Sequence, residues 1–177
     1  MRYILILGLS FFAAASMASE TEVFSGAEWI RDPVFADVPV LNLFHREFEP
    51  KPETSGPTHV HTLFRKEIIL DRAPASATLY ITGDDYYKFY INGKYVVQGP
   101  SPSYHFAHPY YRLDVTDSLH AGANCLAGHA YYQGLVNRVW NSADNRSGFM
   151  LALELRHEDG ATERVITDTD WRCFQLK

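Results

Sequence analysis

Along residues 61–70, HTLFRKEIIL, the apolar Phe64, Ile68 and Leu70 fall on one parity, with charged residues between them. In ATLYIT (77–82), Ala77, Leu79 and Ile81 alternate with Thr78, Tyr80 and Thr82. In FMLALEL (149–155), Phe149, Leu151, Leu153 and Leu155 share one face. A period of two is the signature of strands with one buried face. HEDGATERVIT (157–167) then reads as a hairpin around Asp159-Gly160. No long stretch carries the 3.6-residue period of an amphipathic helix. A single helical turn is expected near TDSLHAG (116–122), capped by Thr116 or Asp117. Many short strands with close turn signals predict an all-β chain, an antiparallel β-sandwich of the jelly-roll kind.

The tyrosine-rich stretch GDDYYKFYINGKYVVQGPSPSY (83–104) admits two hairpin registers. A two-residue turn at Asn92-Gly93 pairs Ile91 with Lys94 and sets Tyr90 beside Tyr95. A three-residue loop with a bulge pairs Tyr90 with Lys94 instead. The second register gathers Tyr87, Phe89, Tyr95 and Val97 on one apolar face, so it is the one expected, with Tyr87 and Tyr95 in the core.

The first residues change the picture of where the chain works. Arg2, the apolar ILILGLSFFAAA and the small-residue SMA before Ser19 form a secretory signal pattern. Cleavage after Ala18 would leave 177 − 18 = 159 residues, secreted or periplasmic. The apolar run is short for a membrane span. The expected domains are a signal peptide (1–18), an N-terminal segment and linker packing on the sandwich through Trp29 and Phe44 (19–58), and the sandwich itself (59–177). Net charge is −5 with Lys and Arg scattered, which argues against nucleic acid as a partner. Aromatic content is high at 14%, which hints at a binding surface. Cys125 and Cys173 leave a single disulfide open in an oxidising compartment, as against two unpaired thiols.

Several segments, in order, resemble one family. They are Trp29-Ile30, LFRKEIIL (63–70), ATLYITGDDYYKFYINGKYVVQGPSPSY (77–104), YYRLDVTDSLHAGANCLAG (110–128) and DTDW (168–171). Together they resemble the N-terminal β-sandwich of bacterial α-L-rhamnosidases, a galactose-binding-like jelly roll. A weaker version of the pattern occurs in the sugar-binding sandwich of β-galactosidase-type enzymes. The resemblance implies a non-catalytic accessory module of a glycoside hydrolase that acts on rhamnose-containing glycans. The catalytic carboxylates of such enzymes sit on a separate (α/α) barrel. The alternative is a purely structural domain that packs against that barrel.

Candidate chemistry lies at the ends of the tyrosine-rich hairpin. Asp84 and Asp85 can accept sugar hydroxyls or supply oxygen ligands to calcium. The resemblance implies an acidic–amide pair contacting sugar beside a calcium ion at this point; here the pair is Asp-Asp, which removes an amide donor and favours the cation. Tyr104, His105 and Tyr110, in SPSYHFAHPYYR (101–112), could stack on a pyranose ring. The long connection YYQGLVNRVWNSADNRSG (131–148) offers Tyr132, Trp140, Asn141 and Asp144, with Trp140 the preferred stacking platform and Asn141 a hydroxyl partner. His59 and His61, two residues apart, could supply half of a metal site. Neighbouring strand residues point to opposite faces, so Asp84 and Asp85 are not expected to flank one glycosidic bond. No GxSxG signature is present. Catalysis by the chain alone is not expected.

Overall fold

A computed structural model describes residues 23–41, 56–101, 107–135 and 144–176. Among the described residues, nine strands form two antiparallel sheets: β1 (Val60–Leu70), β2 (Ser76–Asp84), β3 (Tyr86–Ile91), β4 (Lys94–Gly99), β5 (Tyr111–Asp114), β6 (Gly122–Tyr132), β7 (Gly148–Arg156), β8 (Thr162–Ile166) and β9 (Arg172–Leu176). One sheet runs β4-β3-β6-β1-β9 and the other β5-β2-β7-β8. The sandwich predicted from alternation is the architecture observed.

The core is the set of inward parities. Phe64, Leu70, Ala77, Leu79, Ile81, Phe149, Leu151, Leu153 and Leu155 are all buried, and Ile68 packs partly buried against them. Phe149 is its hub. Its ring meets Phe64, Tyr87, Phe89 and Trp171 at centroid distances of 5.8–6.0 Å. Offset and edge-on aromatic contacts at such distances add to the area term. Thr82, expected to face outward, is buried, and its hydroxyl donates to the Pro109 carbonyl at 2.9 Å.

The β3–β4 hairpin departs from the expected register. Asn92 and Gly93 have φ of +52° and +77°, the left-handed pair of a two-residue turn. Ile91 pairs with Lys94 and Tyr90 with Tyr95; a bulge follows, and Phe89 then pairs with Val97. The bulge reconciles the turn chemistry with the apolar pattern. It keeps Tyr87, Phe89 and Ile91 in the core and turns Tyr95 out, 56% exposed, against Tyr90.

Two asparagines fasten this turn to the loop before β6. Asn92 Nδ2 donates to the Ser118 carbonyl and to Asn124 Oδ1, each at 2.9 Å, and Asn92 Oδ1 accepts from Cys125 N. Asn124 Nδ2 donates in turn to the His120 carbonyl. The short helical turn is a 3-10 turn over Thr116–Ser118. Its N-cap is Val115, without a side-chain cap, rather than Thr116 or Asp117; Asp114 just before it accepts from the Thr116 amide and hydroxyl through Oδ1.

Cys125 and Cys173 are free. They lie on β6 and β9, the two neighbours of β1, opposite Glu67 and Phe64 respectively. Two strand spacings, about 9–10 Å, already exceed the Cα separation a disulfide tolerates.

The N-terminal segment docks on the sandwich. Ile30 bridges to Phe149 by both backbone bonds, and Glu28 N donates to the Thr167 carbonyl. Asp32 is buried and accepts from Val34 N and Thr62 Oγ1. Phe35 packs edge-on to Tyr132 at 4.9 Å. Phe44 and residues 1–22 fall outside the described residues.

Candidate functional site

β2 ends at Asp84 and β3 begins at Tyr86, so Asp85 sits at the crossing from one sheet to the other. The two carboxyls were expected to point apart. They converge instead and are hydrogen-bonded to each other. The chain leaves one sheet at this step, and strand alternation no longer governs it. Asp85 Oδ2 also accepts from Gln133 N at 2.8 Å, which ties the crossing to the end of β6.

A third carboxylate joins them from the start of β7. Asp144 is 1% exposed and forms a two-point contact with Arg146, accepting from its backbone N at 2.9 Å and from its Nη1 at 2.6 Å. Asn145 between them is buried, with its amide donating to the Tyr132 hydroxyl at 2.9 Å and its side chain to the Pro39 carbonyl at 2.8 Å. The fold thus pins Asp144 and Arg146 beside Asp84. Burial holds the Asp84 carboxyl well above the usual carboxylate range; the charges of Asp85 and Asp144 and the hydrogen bond from Asp85 add to the shift, and Arg146 opposes it. The rim therefore favours a proton on Asp84 more than an exposed carboxyl would, beside an ion pair.

Asp84 and Arg146 line an open cleft of about 440 Å³ with Trp29, Arg31, His108 and Ser147. Trp29 is 40% exposed, and its ring lies 5.1 Å from that of His108. It lies over Gly148, where even a methyl group would come within 2.8 Å of its Cε3. An exposed indole face beside carboxylates and guanidinium groups is suited to a polyhydroxylated ring. The apolar face of the ring packs on the indole, and its hydroxyls take charge-assisted bonds at the edge.

Of the residues singled out in the sequence, Asp84 lines this cleft, with Asp85 and Asp144 beside it. Tyr104, His105, Trp140 and Asn141 lie outside the described residues. Tyr110 packs edge-on to Phe24 at 5.5 Å, away from the cleft lining. Trp29, Arg31, His108 and Arg146 were not singled out as site residues. The N-terminal segment reaches the rim only through tertiary docking, which local pattern does not encode. Among the described residues no group of three or more His, Cys, Asp and Glu side chains is arranged to hold a metal ion.

The comparisons with known proteins agree with this architecture. The family model described as the α-L-rhamnosidase N-terminal domain matches residues 72–176. An α-L-rhamnosidase of Formosa agariphila is 32% identical over 125 residues, covering 62% of this chain and 13% of the relative. One from Streptomyces avermitilis is 32% identical over 105 residues, covering 55% of this chain and 10% of the relative. The chain thus spans only a small fraction of the length of these relatives. Among solved structures, a rhamnosidase from Bacillus sp. GL1 superposes with a TM-score of 0.59 at 28% identity, over 68% of this chain and 12% of that one. The Streptomyces avermitilis α-L-rhamnosidase complexed with L-rhamnose gives 0.58 at 19% identity, over 90% and 14%. A Pleurotus ostreatus lectin gives 0.57 at 22% identity, over 85% and 35%, and shares the fold. With more than half of its length matched by that family model, the chain belongs to the α-L-rhamnosidase N-terminal domain family.

Proposed function

We propose that the chain is a non-catalytic carbohydrate-recognition module that serves an α-L-rhamnosidase-type glycoside hydrolase by holding rhamnose-containing glycans at the Asp84 rim. One observation carries this reading: Asp84, Arg31, Arg146 and the open face of Trp29 line a single cleft. Asp84 and Asp85 accept or share hydroxyl protons, Arg146 donates, and Trp29 supports the ring face. The relative complexed with L-rhamnose and the fungal lectin complexed with GalNAc make sugar binding on this fold a supported expectation.

Calcium fits the donor set in a limited way. Two crowded carboxylates are hard oxygen ligands, and Gln133 Oε1, on the residue whose amide holds Asp85, is buried without a hydrogen-bond partner. Asp144 is already committed to Arg146, so calcium would rest on Asp84 and Asp85 with backbone and water oxygens. Bound there, it would neutralise the carboxylate repulsion and orient the pair.

Calorimetric titration of the chain with L-rhamnose, with calcium and with EGTA, tests both points. Binding heat that is abolished in Trp29→Ala and weakened in Arg146→Met is the expected result. No heat in the presence of calcium refutes sugar recognition. Identical isotherms with and without EGTA refute the calcium role alone.

A specific observation also favours a structural role beside a catalytic domain. Leu63, Phe174 and Leu176 are exposed on β1 and the edge strand β9, and Leu63 pairs directly with Phe174. An apolar patch on a sheet edge is a docking surface or an aggregation liability. Co-expression with a rhamnosidase catalytic domain should raise the yield of soluble chain, and Phe174→Lys should abolish that gain.

A further inference from the structure

The outer face of the five-stranded sheet carries a ladder of imidazole and phenol rings that is not part of the Asp84 cleft lining. The β1–β6 register sets His61 opposite Tyr131 and Leu63 opposite His129, so the two imidazoles are diagonal neighbours on one face. His61 Nδ1 and His129 Nε2 lie 3.0 Å apart. Tyr131 stacks on His61 at 4.4 Å with an interplanar angle of 16°, and Tyr86 stacks on Tyr131 from β3. Tyr131 thus covers one face of the His61 ring. Both imidazoles border an open cleft of about 620 Å³ that also takes in Lys88, Gln98 and Ser101.

We propose that His61 and His129 are the two protein ligands of a divalent transition-metal site that prefers Cu(II). Imidazole nitrogens bind such ions at about 2.0–2.1 Å, and a 3.0 Å separation then subtends an angle of about 95° at the metal. That angle is near the square-planar value favoured by Cu(II) and Ni(II), whereas tetrahedral zinc needs about 3.3 Å between the two nitrogens. Each lone pair must turn by roughly 43° from the present N···N line, a swing open to rings that face solvent on one side.

The surrounding groups define the rest of the coordination. His59 is engaged by Tyr131, its Nδ1 2.9 Å from the phenol oxygen, and is not part of the pair. Lys88 lies directly opposite His129 in the β3–β6 register. Its ammonium opposes a bare dication and favours one that carries an anionic co-ligand. Two protein ligands leave at least two positions for water or such an anion. The site joins β1 to β6 and leaves an open face towards the cleft.

The test uses the whole chain and Cu(II) chloride, with calorimetry and electron paramagnetic resonance at pH 7.5. One equivalent should bind with a tetragonal spectrum showing two nitrogen donors. His61→Ala and His129→Gln should each weaken binding at least tenfold, while His59→Ala leaves it unchanged. Ni(II) should follow Cu(II), with Zn(II) weaker. Circular dichroism of the two variants confirms that the fold is retained. Binding that survives both substitutions, or that shows no nitrogen donors lost on substitution, overturns the proposal.

Discussion

Replacing Tyr132 by Phe isolates the contact that couples the core to the rim. Tyr132 is 1% exposed, and its hydroxyl is the acceptor for the Asn145 amide at 2.9 Å. Asn145 is itself buried, with φ of +63°, and stands between Asp144 and Arg146. Burial pushes the Tyr132 hydroxyl up, so it stays protonated at physiological pH and keeps its lone pairs available. Removing the oxygen loses one hydrogen bond and leaves a buried N–H without an acceptor. The orphaned donor dominates, at about 1–3 kcal/mol. For a chain of this size that corresponds to a fall in Tm of roughly 3–10 °C. Tyr131→Phe is the matched control. It is the same change one residue earlier, on the outer face, where the lost partner is an exposed His59 that water can satisfy. Its cost should stay within about 0.5 kcal/mol. Urea unfolding at constant pH, followed by tryptophan fluorescence, reads both. A Tyr132→Phe cost no larger than that of Tyr131→Phe refutes the reasoning, because burial of the partner is then irrelevant.

Asp84→Asn should stabilise the chain at pH 7.5 in EGTA and lose that advantage on acidification. The folded pKa of Asp84 is raised, so its contribution is fully present below about pH 4, where both states are protonated, and is lost as pH rises and the unfolded chain ionises freely. Thermal scans at pH 4 and 7.5 check the sign; a variant that gains on acidification contradicts it. Gly128→Ala should cost about 1–3 kcal/mol by overpacking, because its Cβ would lie 3.1–3.4 Å from the Phe149 ring, which is hemmed in on every side. The urea midpoint should fall with the slope unchanged. Gly148→Ala should barely change stability, since the Trp29 ring it displaces is free to swing outward, but should weaken L-rhamnose binding at least fivefold by calorimetry.

The strands were legible because their signal is local. Leu79 and Ile81, or Leu151 and Leu153, declare their face through immediate neighbours and are all buried, while Thr82 and Ala152 are buried against the parity of their runs. The β3–β4 hairpin was misread because two local signals compete. Apolar pattern favoured the bulged loop, turn chemistry favoured Asn92-Gly93, and the chain satisfies both by moving the bulge into the strand. The site was half legible. Asp84 and Asp85 stand out as an acidic pair, but their convergence depends on leaving one sheet for the other. Trp29 and Arg146 are more than a hundred residues apart in sequence, and tertiary bonds bring their segments together: the Ile30–Phe149 bridge, Asn145 to the Pro39 carbonyl and Leu41 N to the Asp144 carbonyl.

That bridge also explains why the cleft sits where it does. Phe149 must be in the core, because four aromatic rings close around its position. Register then fixes its neighbours: Gly83 pairs with Phe149 and Asp84 with Gly148. The last ordered pair of β2 and β7 therefore lies one step beyond the aromatic hub, with no room for further apolar cover. A carboxylate there is shielded on the core side and open on the other. This is the environment that raises the Asp84 carboxyl, and in which hydrogen bonds to charged groups gain strength. Gly148, without a side chain, lets Trp29 close over the backbone at the same step. Recognition chemistry and core packing are thus adjacent positions of one strand pair. A change in the hub should be felt at the rim more than an equal loss of stability elsewhere, because it shifts the strand pair on which Asp84, Trp29 and Arg146 meet.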